Sequence, residues 1–211
     1  MLPKNPLARA VALVAFGLAI GLLAVVAVTF LTRDRDRVAT SVDKGITGAA
    51  LVGGPFALVD QHGATRTDAE FRRRFMLIYF GYTYCPDVCP TELATMGRAL
   101  DLLGDAGERV QPIFITVDPE RDTVEQLAIY GESFHPRLLL LTGSAEQVKA
   151  AAAAYRVYSA RIEGSDATDY LMDHTSIVYL MGPDGRFLTH FPQGTPPERM
   201  AEVLRERLSG A

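Results

Sequence analysis

Cysteine is nearly absent from this 211-residue chain: there are two. That excludes a disulfide-stapled miniprotein and a structural zinc domain built on four thiolates. One intramolecular disulfide, or one two-thiolate site, is all the sulfur chemistry the chain can support. Histidine is scarce as well, with four, and tryptophan is missing. There is no surplus of positive charge. With 21 basic and 25 acidic residues the formal net charge is -4, which argues against a broad nucleic-acid footprint and leaves nucleic acid out of the expected partners. Apolar residues, by contrast, are plentiful. At 48% hydrophobic the chain can bury a core, which excludes disorder as its main state, and its length suits one domain rather than two.

Charge is also missing locally. After a short tail, residues 1–9, no charged residue occurs from Ala10 through Thr32. As a helix rising about 1.5 Å per residue this run spans roughly 34 Å, enough to cross a bilayer with some tilt. A cleaved signal peptide has a shorter apolar region and ends in small residues, whereas this run exits through Val28, Thr29, Phe30 and Leu31. Residues 10–32 are therefore expected to be an uncleaved transmembrane anchor. Residues 1–32 hold Lys4, Arg9 and none of the 25 acidic residues, so the remainder is more acidic than the whole. Lys4 and Arg9 on one side and Arg33, Arg35 and Arg37 on the other leave orientation undecided by charge. Gly17 and Gly21 form a G-x-x-x-G that reads mainly as composition. Residues 33–50 are polar and small and read as a tether.

From residue 51 to 211 the punctuation becomes regular. Phe56–Asp60 and Thr65–Thr67 flank a glycine-containing turn and predict a hairpin. The unbroken apolar run Phe75–Phe80 predicts a strand buried on both faces. Leu93, Met96, Leu100 and Leu103 predict a helix over Pro90–Leu103, with proline at its first position. Strands follow at Gln111–Val117 and Leu138–Leu141, with a helix over Thr123–Phe134 capped by Asp122 and another over Ser144–Tyr155 capped by Ser144. Thr175–Met181 and Arg186–Phe191 predict a second hairpin across Gly182-Pro183-Asp184-Gly185, and Pro197–Leu208 a terminal amphipathic helix. Alternating strands and helices mean an α/β domain with helices on the faces of a central sheet. A cysteine pair directly after a buried strand and opening a helix points to the thioredoxin-like arrangement, here with an N-terminal β-hairpin extension.

The chemistry-bearing stretch is Phe80-Gly81-Tyr82-Thr83-Tyr84-Cys85-Pro86-Asp87-Val88-Cys89-Pro90. Three residues separate the thiols, where a thioredoxin redox pair has two. Cys85 falls in the strand-to-helix loop and Cys89 at or just before the helix start. Unpaired backbone N–H groups there favour anions and lower a thiol's pKa, so both sulfurs are expected to be thiolate-prone and to sit at the surface of the sheet's end. Such a pair can close a disulfide or hold one soft metal ion, and spacing alone does not choose. A third ligand would. His174, in Asp173-His174-Thr175, stands just before a predicted strand, where a thioredoxin-like fold carries a loop facing the cysteines. Two thiolates and a neutral imidazole would make a low-coordinate copper site, and Asp173 could orient that ring or cap a turn. His62, His135 and His190 have no cysteine context and read as structural or solvated.

Three runs in this order, Cys85-Pro86-Asp87-Val88-Cys89-Pro90, Val117-Asp118-Pro119-Glu120-Arg121-Asp122 and Asp173-His174-Thr175, resemble the motifs of the Sco/SenC family of membrane-anchored, thioredoxin-like proteins. The resemblance covers about residues 50–208 and the N-terminal anchor. It implies copper, as Cu(I) and also Cu(II), bound by Cys85, Cys89 and His174, with Asp87, Asp118, Arg121 and Asp173 supporting the site or docking a partner. It implies a copper metallochaperone that assembles the copper centre of cytochrome c oxidase, usually CuA of subunit II. A second reading, a thiol-disulfide oxidoreductase reducing the cysteines of subunit II, needs only Cys85 and Cys89 as a redox pair. No motif residue separates the two. A peroxiredoxin reading fails for want of the P-x-x-x-T-x-x-C pattern, and a sensor reading has no positive support. Further expected partners are the membrane and another periplasmic copper chaperone or thiol reductant. The expected location is the bacterial inner membrane, spanned once, with the soluble domain in the periplasm.

Overall fold

The structure, a computed structural model, describes residues 52–163 and 170–210. The expected tail, anchor and tether, residues 1–50, lie outside the described residues. The described residues all fall in the unit that spans Ala50–Ala211.

The described residues form nine strands and four α-helices in the order β1 (Ala57–Asp60), β2 (Thr65–Thr67), β3 (Phe75–Gly81), α1 (Val88–Leu103), β4 (Val110–Thr116), α2 (Val124–Gly131), β5 (Leu139–Thr142), α3 (Ala145–Ala154), β6 (Ser159–Glu163), β7 (Tyr170–His174), β8 (Ile177–Met181), β9 (Phe187–Pro192) and α4 (Pro197–Ser209). Seven strands form one mixed sheet in the order β2-β1-β5-β4-β3-β8-β9. Its centre, β5-β4-β3, is parallel, and β1, β2, β8 and β9 add antiparallel edges. β6 and β7 pair only with each other, as an antiparallel ribbon.

Local chemistry explains most of these elements. β3 reads FMLIYFG and is buried along its whole length, because strands lie on both of its edges and layers cover both of its faces. Each fully enclosed Leu, Ile or Phe there contributes about 1.5–3 kcal/mol. Ser144 caps α3 by accepting from the Gln147 N–H, and the Gln147 side chain returns to the Ser144 backbone, a reciprocal pair that fixes where the helix begins. Leu93, Met96, Leu100 and Leu103 line the buried side of α1 as their spacing requires, and α1 packs on α4 through Met200, Ala201, Leu204 and Leu208.

Three expectations need correction. α1 starts at Val88, two residues before Pro90, so Cys89 lies inside the first turn. Proline is tolerated there because the first N–H groups of a helix have no intrahelical acceptor. Asp122 does not cap α2; Thr123 does, accepting from the Gln126 N–H, while Asp122 turns into the protein and is fully buried. His174 does not stand in a loop ahead of a strand. It ends β7, and the following strand starts at Ile177.

One charge is buried on the α1–α4 side. Glu92 is 2% exposed; its Oε1 accepts from the Gly194 N–H at 2.8 Å, and its Oε2 has no partner among the described residues. Burial raises its pKa above the usual 4.5, against the smaller opposing effect of the Gly194 bond. Below pH 4.5 Glu92 is protonated in both folded and unfolded chains. As pH rises through the interval up to the folded value, the unfolded chain loses its proton first and stability falls. Urea denaturation between pH 4.5 and 7 should show this decline in the native chain and a flatter profile in Glu92→Gln. An unchanged profile would show that Glu92 does not carry it.

Candidate metal centre

β3 delivers the cysteine loop to the carboxyl end of the sheet, where open α/β folds gather ligands. The chain leaves β3 at Gly81, which must be small. A Cβ at this position would lie 2.9 Å from the Cys89 Sγ and 2.9 Å from the Tyr79 ring. Val117, just beyond the end of the parallel neighbour β4, donates its N–H to the Gly81 carbonyl at 2.8 Å and holds this corner down. Two residues on, Thr83 is tied to Asp122: its N–H lies 3.0 Å and its hydroxyl 2.6 Å from the carboxyl oxygens, and Thr116 adds a second hydroxyl at 2.6 Å. The Asp122 carboxyl therefore joins the cysteine loop, the end of β4 and the entry to α2. Burial pushes its pKa up despite these donors.

The two sulfurs sit at different depths. Cys89 is 0% exposed, packed among Gly81, Tyr79 and Tyr82, whereas Cys85 is half-buried and opens to solvent through the exposed Tyr84, Pro86 and Asp87. The Cys89 N–H, free in the first turn of α1, points at the Cys85 Sγ at 3.4 Å. The expectation of two exposed, thiolate-prone sulfurs holds for one of them. The Cys85 thiol is pulled far down, first by the hydrogen bond from the Cys89 thiol and then by His174 and the N–H groups of Cys89 and Asp87, against an opposing effect of burial. The Cys89 thiol is pushed up, first by its Cys85 neighbour and then by burial. Two adjacent sulfurs cannot both ionise cheaply, and the more exposed one beside the helix N-terminus takes the charge.

The ribbon supplies the third group. Side chains alternate along β7, so Tyr170, Met172 and His174 share its inner face while Leu171 and Asp173 lie on the outer, exposed one. The His174 Nε2 is 3.5 Å from the Cys89 Sγ, and its Nδ1 is 3.2 Å from the Thr175 carbonyl. With Nδ1–H donating to that carbonyl, Nε2 keeps its lone pair for the sulfur side. Tyr79 and Tyr82 meet the ring edge-on, at 6.1 and 5.8 Å between centroids. The Tyr79 hydroxyl also reaches the Cys89 Sγ at 3.7 Å.

These donors fit a soft metal ion. A thiolate sulfur and an imidazole nitrogen on one ion, at about 2.3 and 2.0 Å, stand about 3.5–3.8 Å apart, which is the separation Cys89 and His174 already have. No three His, Cys, Asp or Glu side chains among the described residues are already spaced as a closed metal cage; the two sulfurs and the ring stand at hydrogen-bonding separations. Of the four supporting candidates, Asp118 and Arg121 are inside the structure rather than on a docking face. Asp118 is 3% exposed, bonds Arg121 Nε at 2.6 Å and accepts from the Tyr170 hydroxyl at 2.8 Å. Asp87 is exposed and contributes through its main chain, at the helix start and toward Cys85. Asp173 is exposed on the face opposite His174. Sequence reasoning missed Tyr79, Tyr82, Thr83 and Tyr170, and the inward role of Asp122. The one available signal was the density of tyrosines around the cysteines.

The SCO1/SenC family model matches residues 44–209. The chain is 43% identical over 163 residues to the mitochondrial protein SCO2 homolog of Bos taurus, and 41% identical over 177 residues to protein sco1 of Schizosaccharomyces pombe. These matches cover 76% and 82% of this chain, and 61% and 65% of the relatives, so the chain spans less than two thirds of their length. The solved structure of Bradyrhizobium japonicum ScoI with copper bound is similar at a TM-score of 0.70 and 43% identity, over 74% of this chain and 99% of that one.

The difference in depth and charge between the sulfurs predicts unequal reactivity. With iodoacetamide at pH 7 on the reduced chain, Cys85 should be alkylated at least about tenfold faster than Cys89. Peptide mass spectrometry over a time course reads both rates, and equal rates would contradict the described asymmetry.

Proposed function

The chain belongs to the SCO1/SenC family, and on that premise we propose that it is a membrane-anchored copper metallochaperone that carries copper on Cys85, Cys89 and His174. The observation that carries this reading is the 3.5 Å approach of the His174 Nε2 to the Cys89 Sγ, from a ribbon separate from the sheet that bears the cysteines. A disulfide exchange centre has no need of an imidazole brought in from another element, whereas a soft ion gains a third ligand from it. The ion is cargo. Two sulfurs and one nitrogen suit Cu(I), and the nitrogen also makes Cu(II) acceptable. The proposed client is the copper centre of cytochrome c oxidase, CuA of subunit II.

A second reading rests on the thiol asymmetry. A half-buried, ionised Cys85 on the open side of the loop can attack a client disulfide and form a mixed disulfide, releasing one client thiolate. The buried Cys89, losing its proton to that thiolate, then attacks Cys85 and releases the second. The client disulfide is reduced to two thiols and Cys85–Cys89 becomes the disulfide, which a thiol reductant of the same compartment must reduce again. The two activities coexist, since closing the disulfide removes both sulfur ligands and releases the metal.

Residues 10–32 are proposed as the anchor, placing the domain on the periplasmic side of a bacterial inner membrane. Among the described residues no helix is long and apolar enough to cross a membrane, and the anchor proposal rests on the charge-free run in the sequence.

Two experiments test this. The reduced, full-length chain in detergent should bind one copper, and His174→Ala should weaken Cu(I) binding at least about tenfold, about 1.4 kcal/mol, against a competing chelator under anaerobic conditions. Unchanged affinity would remove His174 from the site. An alkaline phosphatase reporter fused after Ala211 should be active in a bacterial host; an inactive fusion would overturn the periplasmic placement.

A further inference from the structure

We propose that Arg121 is a positioning residue that clamps the His174 ribbon onto the cysteine loop and thereby sets the histidine leg of the metal site. This rests on the copper reading above and goes further by assigning the geometry to a residue that touches neither sulfur nor imidazole.

Among the described residues the ribbon β6–β7 has no strand partner in the main sheet, so beyond its chain connections it is held in place by side-chain contacts. Arg121 supplies that connection. Its Nε holds the Asp118 carboxylate at 2.6 Å, which anchors it to the segment after β4. Its Nη1 donates to the Tyr170 carbonyl at 2.9 Å, at the first residue of β7. The centre of the guanidinium lies 3.5 Å from the centroid of the Tyr170 ring, 4.6 Å from that of Tyr84 and 5.8 Å from that of Tyr82. Tyr170 belongs to the ribbon, and Tyr82 and Tyr84 to the cysteine loop. One planar cation thus touches both halves of the site. Its Nη2 is buried without a hydrogen-bond partner among the described residues, and the aromatic faces meet that end of the cation.

The far end of the clamp is the site itself. Tyr170 and His174 share the inner face of one strand. The Tyr170 hydroxyl closes back on Asp118 at 2.8 Å, and the Arg161 guanidinium stands over the same ring at 3.6 Å. Between the two ends, the Met172 backbone hydrogen-bonds the Tyr82 hydroxyl, and the Tyr82 ring in turn meets His174 edge-on. Loosening Arg121 therefore lets the ribbon shift relative to the loop and moves the imidazole away from Cys89. The cysteines keep their own supports: Gly81, Asp122 through Thr83, and the first turn of α1.

That separation gives the test. Lysine keeps the charge but cannot stack or fork as arginine does. In the full-length chain, Arg121→Lys should lower Cu(I) affinity about tenfold, the range of an outer ligand support, while the Cys85–Cys89 disulfide midpoint stays at the native value. Arg121→Lys/His174→Ala should bind no more weakly than His174→Ala alone, because the effect travels through the histidine. Tyr84→Leu, which alters only the exposed wall of the clamp, should lose about threefold, the worth of an exposed cation–π contact, and this loss too should vanish in the His174→Ala background. If Arg121→Lys does not fold, the Tyr84→Leu/His174→Ala cycle decides. Native affinity in Arg121→Lys, losses that add to that of His174→Ala, or an equal shift of the disulfide midpoint would overturn the clamp. Native copper affinity in His174→Ala alone would instead overturn the copper site itself.

Discussion

A carboxyl group shut away from water holds the reactive corner of this protein together. Asp122 is 0% exposed, and an ionised carboxylate in that position costs several kcal/mol unless donors meet it. Three do: the Thr83 N–H, the Thr83 hydroxyl and the Thr116 hydroxyl. They come from the cysteine loop and from the end of β4, and Asp122 itself leads into α2. Removing any donor exposes the cost, so the three segments are held in one arrangement. The loop that carries Cys85 is thereby fixed two residues upstream, without a contact to the sulfur.

Given that anchor, the contrast between the thiols follows from depth. Gly81 lets the Cys89 sulfur come within a distance that any side chain at position 81 would forbid, and the first turn of α1 closes over it. Cys85 remains on the open side and collects the N–H groups that a helix start leaves unpaired. On Cys89 the neighbouring sulfur and burial both push the thiol up, whereas on Cys85 the hydrogen bonds outweigh an opposing effect of burial. The result is one nucleophile and one sulfur that ionises only when something replaces its proton, whether a disulfide partner or a metal ion.

The sequence made much of this legible, and the reasons for the rest are physical. β3 could be read because an unbroken apolar run of that length fits a strand enclosed on both faces, and the Ser144 cap because its chemistry is local. The pairing of cysteines with His174 was legible through motifs in order. The ribbon was not: Ser159–Glu163 holds one large aliphatic residue, Ile162, and that residue faces outward with Leu171, its partner in register. A strand whose inner face is Tyr170, Met172 and His174 does not show the apolar alternation that marks a half-buried strand. Asp122 misled for the related reason that aspartate before a helix satisfies a cap locally as well as a buried node globally. Only the packing of Thr83 and Thr116 against it decides, and Thr83, far off in sequence, leaves no local pattern.

The division of the site between the main sheet and a separate ribbon would let one small domain serve both proposed chemistries. Thiol exchange uses Cys85 and Cys89 alone, both fixed by the main sheet and α1. The proposed copper binding would also need His174, held on a ribbon placed by side-chain contacts rather than by a strand ladder to the main sheet. A ladder bond is shared among neighbours and lost only by unfolding, whereas a side-chain clamp can be opened separately. The contact between Cys89 and His174 is therefore the part of the centre most easily made and broken while the fold stays intact. For the carrier proposed above, which must both hold an ion and give it up, that contact is where the reversible step would belong: the two sulfurs keep their own supports, and the half-buried Cys85 side leaves an incoming ligand room to approach.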